Sequence, residues 1–186
     1  MKKRTKKQSA GFTLIEIVTT LAIVAVIFSI AVSSSNRMSS RSNINLVTES
    51  LVSDIRTTAM SAMNSEQFQT QSPIYWGIRL KTDETPANYT VFADTNGDSF
   101  YNNNEKFKAI FLNKNIRLNC TTFHNQCWGT GSVLFTAGEA KPYFEGGGDV
   151  LGVDTKNGDV SIELEDITTG DKKVIVINAL GLVDPQ

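Results

Sequence analysis

A stretch of twelve residues, DTNGDSFYNNNE at positions 94–105, carries oxygen-bearing groups at a regular spacing. The candidate ligands at its first, third, fifth, seventh, ninth and twelfth positions are Asp94, Asn96, Asp98, the backbone carbonyl of Phe100, Asn102 and Glu105. This is the ligand spacing of a twelve-residue calcium loop, in which carboxylates, amides and a carbonyl surround one hard cation. The sequence therefore predicts a structural calcium site, and calcium is the candidate cofactor.

The calcium interpretation competes with a plain polar loop whose Asp and Asn side chains only form turns. Position six is Ser99, where calcium loops usually have a glycine for a sharp turn. The flanking residues also favour strands, whereas the familiar calcium loop lies between two helices. If calcium binds here, we expect it to stiffen the loop and not to act as a signal.

The two cysteines, Cys120 and Cys127, lie close together in the sequence CTTFHNQC. In an exported domain, a close pair of this kind most simply forms a disulfide. The alternative is a pair of thiols or a metal site that includes His124. Structural zinc takes four ligands, so three candidate ligands fit a metal site poorly.

A further candidate functional residue, Glu16, lies near the start of an almost entirely apolar segment at residues 12–32. As a helix, this segment would rise roughly 31 Å, which matches the hydrocarbon core of a bilayer. A carboxylate inside hydrocarbon costs on the order of 3 kcal/mol and is usually functional. Glu16 therefore needs a partner of opposite charge.

Residues 1–11 precede the apolar segment and contain five basic residues and no acidic one. Their charge predicts that the N-terminus stays in the cytoplasm and that the C-terminal domain is exported. A conventional signal peptide has its small-residue cleavage site after the apolar region, but here the small residues end at Gly11, before it. An uncleaved membrane anchor is one interpretation, and it leaves Glu16 unexplained. A cut after Gly11 would create a free amine on Phe12, with which Glu16 of a neighbouring subunit could pair.

The sequence KKQSAG, followed by FTLIE and an apolar run, resembles the class III leader of type IV pilins and type II secretion pseudopilins. The resemblance implies that a prepilin peptidase cleaves after Gly11 and methylates the new N-terminus at Phe12. It also implies that Glu16, the fifth residue of the mature chain, is the carboxylate needed for assembly with other pilin or pseudopilin subunits.

On this resemblance the chain is a single-pass protein of a bacterial inner membrane, with its N-terminus in the cytoplasm and its globular domain in the periplasm. After processing it would join or initiate a filament, which is either a type IV pilus or the pseudopilus of type II secretion. The partners implied are the prepilin peptidase, other subunits and the membrane itself.

Beyond the membrane segment, the spacing of apolar residues predicts that the helix continues to about residue 64. A stripe at intervals of three or four consists of Ile44, Val47, Leu51, Ile55, Ala59 and Ala62. The opposite, polar face carries Thr48, Glu49, Ser53, Asp54 and Arg56. Two separate helices, divided at the Ser-rich residues 33–43, are the alternative.

From residue 73 onward the pattern favours strands, which we predict at residues 75–81, 89–94, 107–112, 116–119, 132–137, 159–166 and 173–179. Gly146, Gly147 and Gly148 are interpreted as a flexible loop. One helix followed only by strands predicts an α+β fold of the pilin type, with a long N-terminal helix on an antiparallel β-rich domain.

The predicted organisation is a cleaved leader at 1–11, a transmembrane segment at 12–32, an amphipathic helical continuation at 33–65 and a β-rich domain at 66–186. The C-terminal hairpin and its close at residues 179–183 resemble the GspH/FimT group of minor pilins and pseudopilins.

Charge argues against nucleic acid as a partner of the mature chain. Removal of the leader takes five basic residues from the 18 in the chain, which leaves 13 against 19 acidic ones and a formal charge of −6. DNA binding needs a basic patch, so a DNA receptor on a competence pilus is the alternative and not the leading hypothesis. Since the sequence shows no catalytic constellation, we expect a structural subunit and not an enzyme.

Overall fold

The computed structural model of the chain describes residues 13–82, 87–123, 126–153 and 158–186, and within the helix it does not describe the side chains of residues 30–42. The elements in chain order are α1 (Leu14–Met63), β1 (Tyr75–Lys81), β2 (Asn88–Asp94), a short 3-10 helix (Asn103–Glu105), β3 (Lys106–Phe111), β4 (Ile116–Phe123), β5 (Gln126–Trp128), β6 (Thr130–Thr136), β7 (Pro142–Gly146), β8 (Asp149–Gly152), β9 (Val160–Asp166), β10 (Lys172–Ile177) and β11 (Val183–Pro185). A helix followed by antiparallel strands confirms the predicted α+β class.

Helix α1 is one continuous element of 50 residues, so the alternative of two separate helices is wrong. The chain divides into two compact units whose boundary falls within α1, between Ser39 and Ser40. In the first unit, the large apolar side chains of α1 that the structure describes are at least half exposed, from Ile17 at 50% to Leu14 at 81%.

Among the described residues, no helix combines the length and the apolar character that a membrane crossing requires. The structure does not describe Phe12 or the side chains of residues 30–32, which belong to the predicted span. The transmembrane segment at 12–32 therefore stays a prediction.

In the second unit, α1 buries the predicted stripe. Ile44, Leu51, Ile55 and Ala62 are at most 2% exposed, and Val47 and Ala59 are partly buried against the same core. The polar face is narrower than predicted, because Thr48 is buried. Its hydroxyl donates to the carbonyl of Ile44 at 2.7 Å, which satisfies the buried polar group within the helix.

Two antiparallel sheets complete the core. One has the strand order β3-β2-β1-β6-β7-β8 and the other β11-β10-β9-β4-β5. Alternate residues of both sheets join the stripe of α1 in a single apolar cluster, for example Ile78 of β1 and Ile162 of β9. Helix and sheets therefore share one core.

All seven predicted strands are present, β1 with the predicted bounds and the others within a few residues. Four strands were missed: β5, β7, β8 and β11. The predicted loop at residues 146–148 is shorter than interpreted, because Gly146 belongs to β7 and only Gly147 and Gly148 connect it to β8. Gly146 pairs with Asp149, and Gly147 and Gly148 have φ values of 63° and 95°. Two consecutive positive φ values at the centre of a two-residue turn make a tight hairpin whose twist suits the strands.

We predict that Leu51→Ala lowers the free energy of unfolding by about 2–5 kcal/mol, because Leu51 is fully buried and its truncation leaves a cavity. The matched control is Leu46→Ala in the same helix, since Leu46 is 60% exposed, and this change should cost less than about 0.5 kcal/mol. Thermal unfolding of the full chain in detergent, followed by tryptophan fluorescence, measures both. Equal effects would contradict the assignment of the core face.

Candidate functional site

The acidic loop of residues 94–105 connects β2 to β3, and its two ends are neighbours because these strands pair. Phe92 lies opposite Lys106 in the register. Asp94 closes β2, and Glu105 closes the 3-10 helix immediately before β3. Both carboxylates are 0% exposed. The pairing of two strands thus places two buried acidic side chains at the base of one loop.

Backbone N–H groups of the loop donate to these carboxylates. Asp94 accepts from Gly97 at 2.6 Å and from Ser99 at 2.8 Å. Glu105 accepts from the N–H of Thr95 at 3.0 Å through Oε1 and from that of Asn102 at 3.1 Å through Oε2. The loop backbone is therefore wrapped around its two buried acids.

The structure brings Asp94, Asp98 and Glu105 together, since one ligand atom from each lies within 4.8 Å of the others. The other predicted ligands are arranged differently. The side-chain nitrogens of Asn96 and Asn102 each donate to Asp98 Oδ2 at 2.9 Å. Phe100 donates its N–H to Asp98 Oδ1 at 2.8 Å. Asp98 is thus an exposed carboxylate to which three other loop residues donate. Together with Asp94 and Glu105 it forms a candidate cation site.

The serine at position six of the loop does not prevent the sharp turn. Ser99 has a φ of 65°, and Gly97 two residues earlier has a φ of 77°. The left-handed conformation that glycine usually supplies is therefore adopted by Ser99 itself, at some cost in backbone strain. The N–H of Ser99 bonds to Asp94, which holds the residue in this conformation.

The electrostatics of the loop are dominated by buried negative charge. Burial raises the pKa of the Asp94 carboxyl, while hydrogen bonds from Gly97 and Ser99 act in the opposite direction and the charges of Glu105 and Asp98 add to the increase. Among the described residues, no Lys or Arg forms an ion pair with Asp94 or Glu105. A divalent cation would supply the missing positive charge.

The same loop covers one face of the six-stranded sheet, which the sequence did not predict. Phe92 and Leu134 are fully buried on the face opposite α1, and the Tyr101 ring packs edge-on against Phe92 at 5.5 Å. The Arg79 guanidinium lies 5.0 Å from the centre of the Tyr101 ring. Gly77 makes room, because a Cβ there would approach Phe92 within 2.7 Å. The only sequence signal was a glycine inside a strand.

Cys120 and Cys127 form a disulfide between β4 and β5, as predicted. The metal alternative included His124, which lies outside the described residues. Because Trp128 follows Cys127 directly and packs against Phe144 at 6.2 Å, the disulfide fixes the position of this aromatic contact between the two sheets.

Glu16 lies in the first turn of α1, where it contacts Thr13. Its Oε2 accepts from the N–H and the hydroxyl of Thr13, both at 3.3 Å, and its own N–H donates to the Thr13 hydroxyl at 3.4 Å. This reciprocal arrangement is a capping box. The sequence Thr-x-x-Glu before an apolar run is its signature, so this cap could have been predicted from the sequence.

Gly11 and Phe12, the predicted cleavage and methylation residues, lie outside the described residues. Both fall within residues 6–32, which match the family description "Prokaryotic N-terminal methylation motif". No characterised protein and no solved structure gives a significant match to the chain. Proteins with this motif are processed by a prepilin peptidase and assemble with other pilin subunits, and their role is structural. The chain thus carries, from Lys6 to Val32, the N-terminal methylation motif that is characteristic of the type IV pilin and pseudopilin family.

Proposed function

We propose that the chain is a minor pilin or pseudopilin subunit of the GspH/FimT kind, which is cut between Gly11 and Phe12 and then assembles into a filament or initiates one. The observation that carries this proposal is the N-terminal methylation motif at residues 6–32. In the proposed topology the chain is anchored in the inner membrane and its β-rich domain lies in the periplasm. The filament is a type IV pilus or a type II secretion pseudopilus.

Glu16 has a defined part in this proposal. Its capping contact with Thr13 holds the carboxylate at the N-terminal end of α1. A cut before Phe12 would place a new cationic amine one residue from that cap. A carboxylate surrounded by apolar side chains is costly unless it is paired. Pairing between Glu16 and the amine of an adjacent subunit would fix the axial register of the two helices.

We further propose that Asp94, Asp98 and Glu105 bind a structural calcium ion. The proposal is supported by the 4.8 Å clustering of their ligand atoms and by the complete burial of Asp94 and Glu105. Calcium takes six to eight oxygens, so the ion would also recruit loop amides, carbonyls or water. The amide groups of Asn96 and Asn102 would then turn their oxygens toward the ion. The resulting site would stiffen the loop that carries Tyr101 over Phe92.

A deletion strain, scored in parallel for surface pili and for secreted enzymes, tests the filament role. We expect the strain to lose either its surface pili or its secreted enzymes and to keep normal levels of the other. Complementation with the wild type should restore it, and Glu16→Ala should not. The informative control is Glu16→Gln, because Gln still fills a capping box but carries no charge.

If charge pairing is what assembly needs, Glu16→Gln should fail as Glu16→Ala does, with the leader still removed. Full rescue by Glu16→Gln would show that capping of α1, and not pairing, is the role of Glu16. Normal pili and normal secretion in the deletion strain would contradict the filament proposal, and DNA uptake would then be measured.

Removal of calcium tests the metal proposal. We expect chelation by EDTA to lower the Tm of the full chain and added calcium to restore it, because an ion that binds only the folded state stabilises it. A second test is Asp98→Asn, which removes a ligand charge at an exposed position. This variant should lose most of the calcium-dependent shift in Tm. An identical Tm with calcium and with EDTA would end the calcium proposal.

The raised pKa of Asp94 predicts a pH dependence in EDTA. Since the folded state holds the Asp94 proton more tightly than the unfolded state does, its contribution to stability falls as the pH rises above the ordinary pKa of 3.8. Relative to Asp94→Asn, the wild type should therefore lose stability as the pH rises from about 4, as measured by Tm. A difference that stays constant or grows in favour of the wild type would contradict the cause assigned to this shift.

A further inference from the structure

We propose that the free edge of β3 accepts an extended, acidic strand from a partner protein, and that one apolar side chain of that strand enters a groove between β3 and α1. Addition of a strand to an open sheet edge is a common mode of peptide recognition. The inference does not depend on the filament proposal, because the edge and the groove both belong to the unit that contains the sheets.

Strand β3 is the outer strand of the six-stranded sheet. It pairs with β2 on one side, and among the described residues no strand pairs with its other side. Five of its six residues are exposed. A long exposed edge with free backbone groups is a template for pairing with another chain.

The register shows which backbone groups are free. The N–H of Leu112 donates to the carbonyl of Ala87 at 2.8 Å, just beyond the end of β3. Hydrogen-bonded pairs alternate in an antiparallel ladder, so Ile110 and Lys108 direct their backbone groups toward β2. Ala109 and Phe111 then direct their N–H and C=O groups toward the open side. An added strand would bond to these two residues.

A groove of about 120 Å³ opens beside this edge, between β3 and α1. Residues that line it include Asp54 and Thr57 of α1 and Trp76, Val91, Phe107 and Lys108 of the sheet. Trp76 and Val91 are buried at its base, and the Phe107 ring stands edge-on to Trp76 at 5.5 Å. Because one water needs only about 10–15 Å³ of this kind of volume, the groove has room for a side chain of several heavy atoms.

The edge and the groove suit the same ligand. Alternate residues of a strand point to the same face, and on β3 the side chain of Lys108 points to the α1 side, where it bonds to Asp54 at 3.2 Å. Every second side chain of an added strand would therefore point toward α1, and one of them would lie over the groove. An aliphatic side chain would cover Trp76 and Phe107.

Charge indicates the chemistry of the partner. Residues 106–114 contain three lysines and no acidic residue. Lys108 is paired with Asp54, so Lys106 and Lys114 are the lysines that give this edge its positive charge. Lysine on an edge strand discourages pairing with another lysine-bearing edge. The same charges favour an acidic strand, since opposite charges across an interface promote association. A second copy of β3 is accordingly a poor occupant.

The test uses the full chain in detergent micelles and two fluorescein-labelled peptides, in which Val and Leu alternate with either Glu or Lys. We expect the Glu peptide to bind by fluorescence anisotropy and the Lys peptide not to bind. Ala109→Pro removes an outward N–H, which an edge strand tolerates, and should weaken binding by about tenfold or more. Ala109→Val keeps that N–H and is the matched control, with unchanged binding.

Two further variants keep the test decisive if Ala109→Pro fails to fold. The charge reversal Lys106→Glu with Lys114→Glu should abolish the preference for the Glu peptide, and Thr57→Trp at the exposed rim should block the groove and weaken binding. The proposal is overturned if the Glu peptide does not bind, if both peptides bind equally, or if the folded Ala109→Pro variant binds normally. Self-association that Ala109→Pro removes would also overturn it, since the occupant would then be a second copy.

Discussion

The fold depends on a single helix that meets two different requirements along its length. In the second unit, Leu51 and Ile55 of α1 are fully buried, and both sheets bury alternate residues in the same cluster. Without this stripe, the cluster that the two sheets share would lose its helical side. In the first unit, the described large apolar side chains of α1 are at least half exposed. The β-rich domain therefore relies on the second part of α1, and the proposed assembly relies on the first.

Elements with a strong local pattern could be predicted from the sequence. The apolar stripe of α1 and the alternation in β1 and β9 fixed these elements, because burial on one face imposes the period. The missed strands lack that signal: β5 and β11 have three residues each, and β7 begins at Pro142 and ends at Gly146. The burial of Thr48 was missed because its polar side chain placed it on the exposed face. A hydroxyl can be buried when it bonds to a carbonyl of its own helix, as that of Thr48 does.

The acidic loop shows where sequence spacing stops being informative. Three of the six predicted ligands, Asp94, Asp98 and Glu105, lie close together, because β2 and β3 pair at the base of the loop. The spacing could not show that Asn96 and Asn102 donate to Asp98. Nor could it show that Tyr101 covers Phe92, since this contact requires Gly77 on a different strand. A loop that resembles a metal site is thus also the cover for one face of the sheet.

Cleavage between Gly11 and Phe12 is the central claim, since it creates the amine that gives Glu16 a partner and releases the subunit for assembly. The most direct test is mass spectrometry of the mature chain isolated from the membranes of its own cells. We expect a chain that begins at Phe12 and carries one methyl group on its α-amine. A chain that retains residues 1–11, or one cut after the apolar segment, would contradict it.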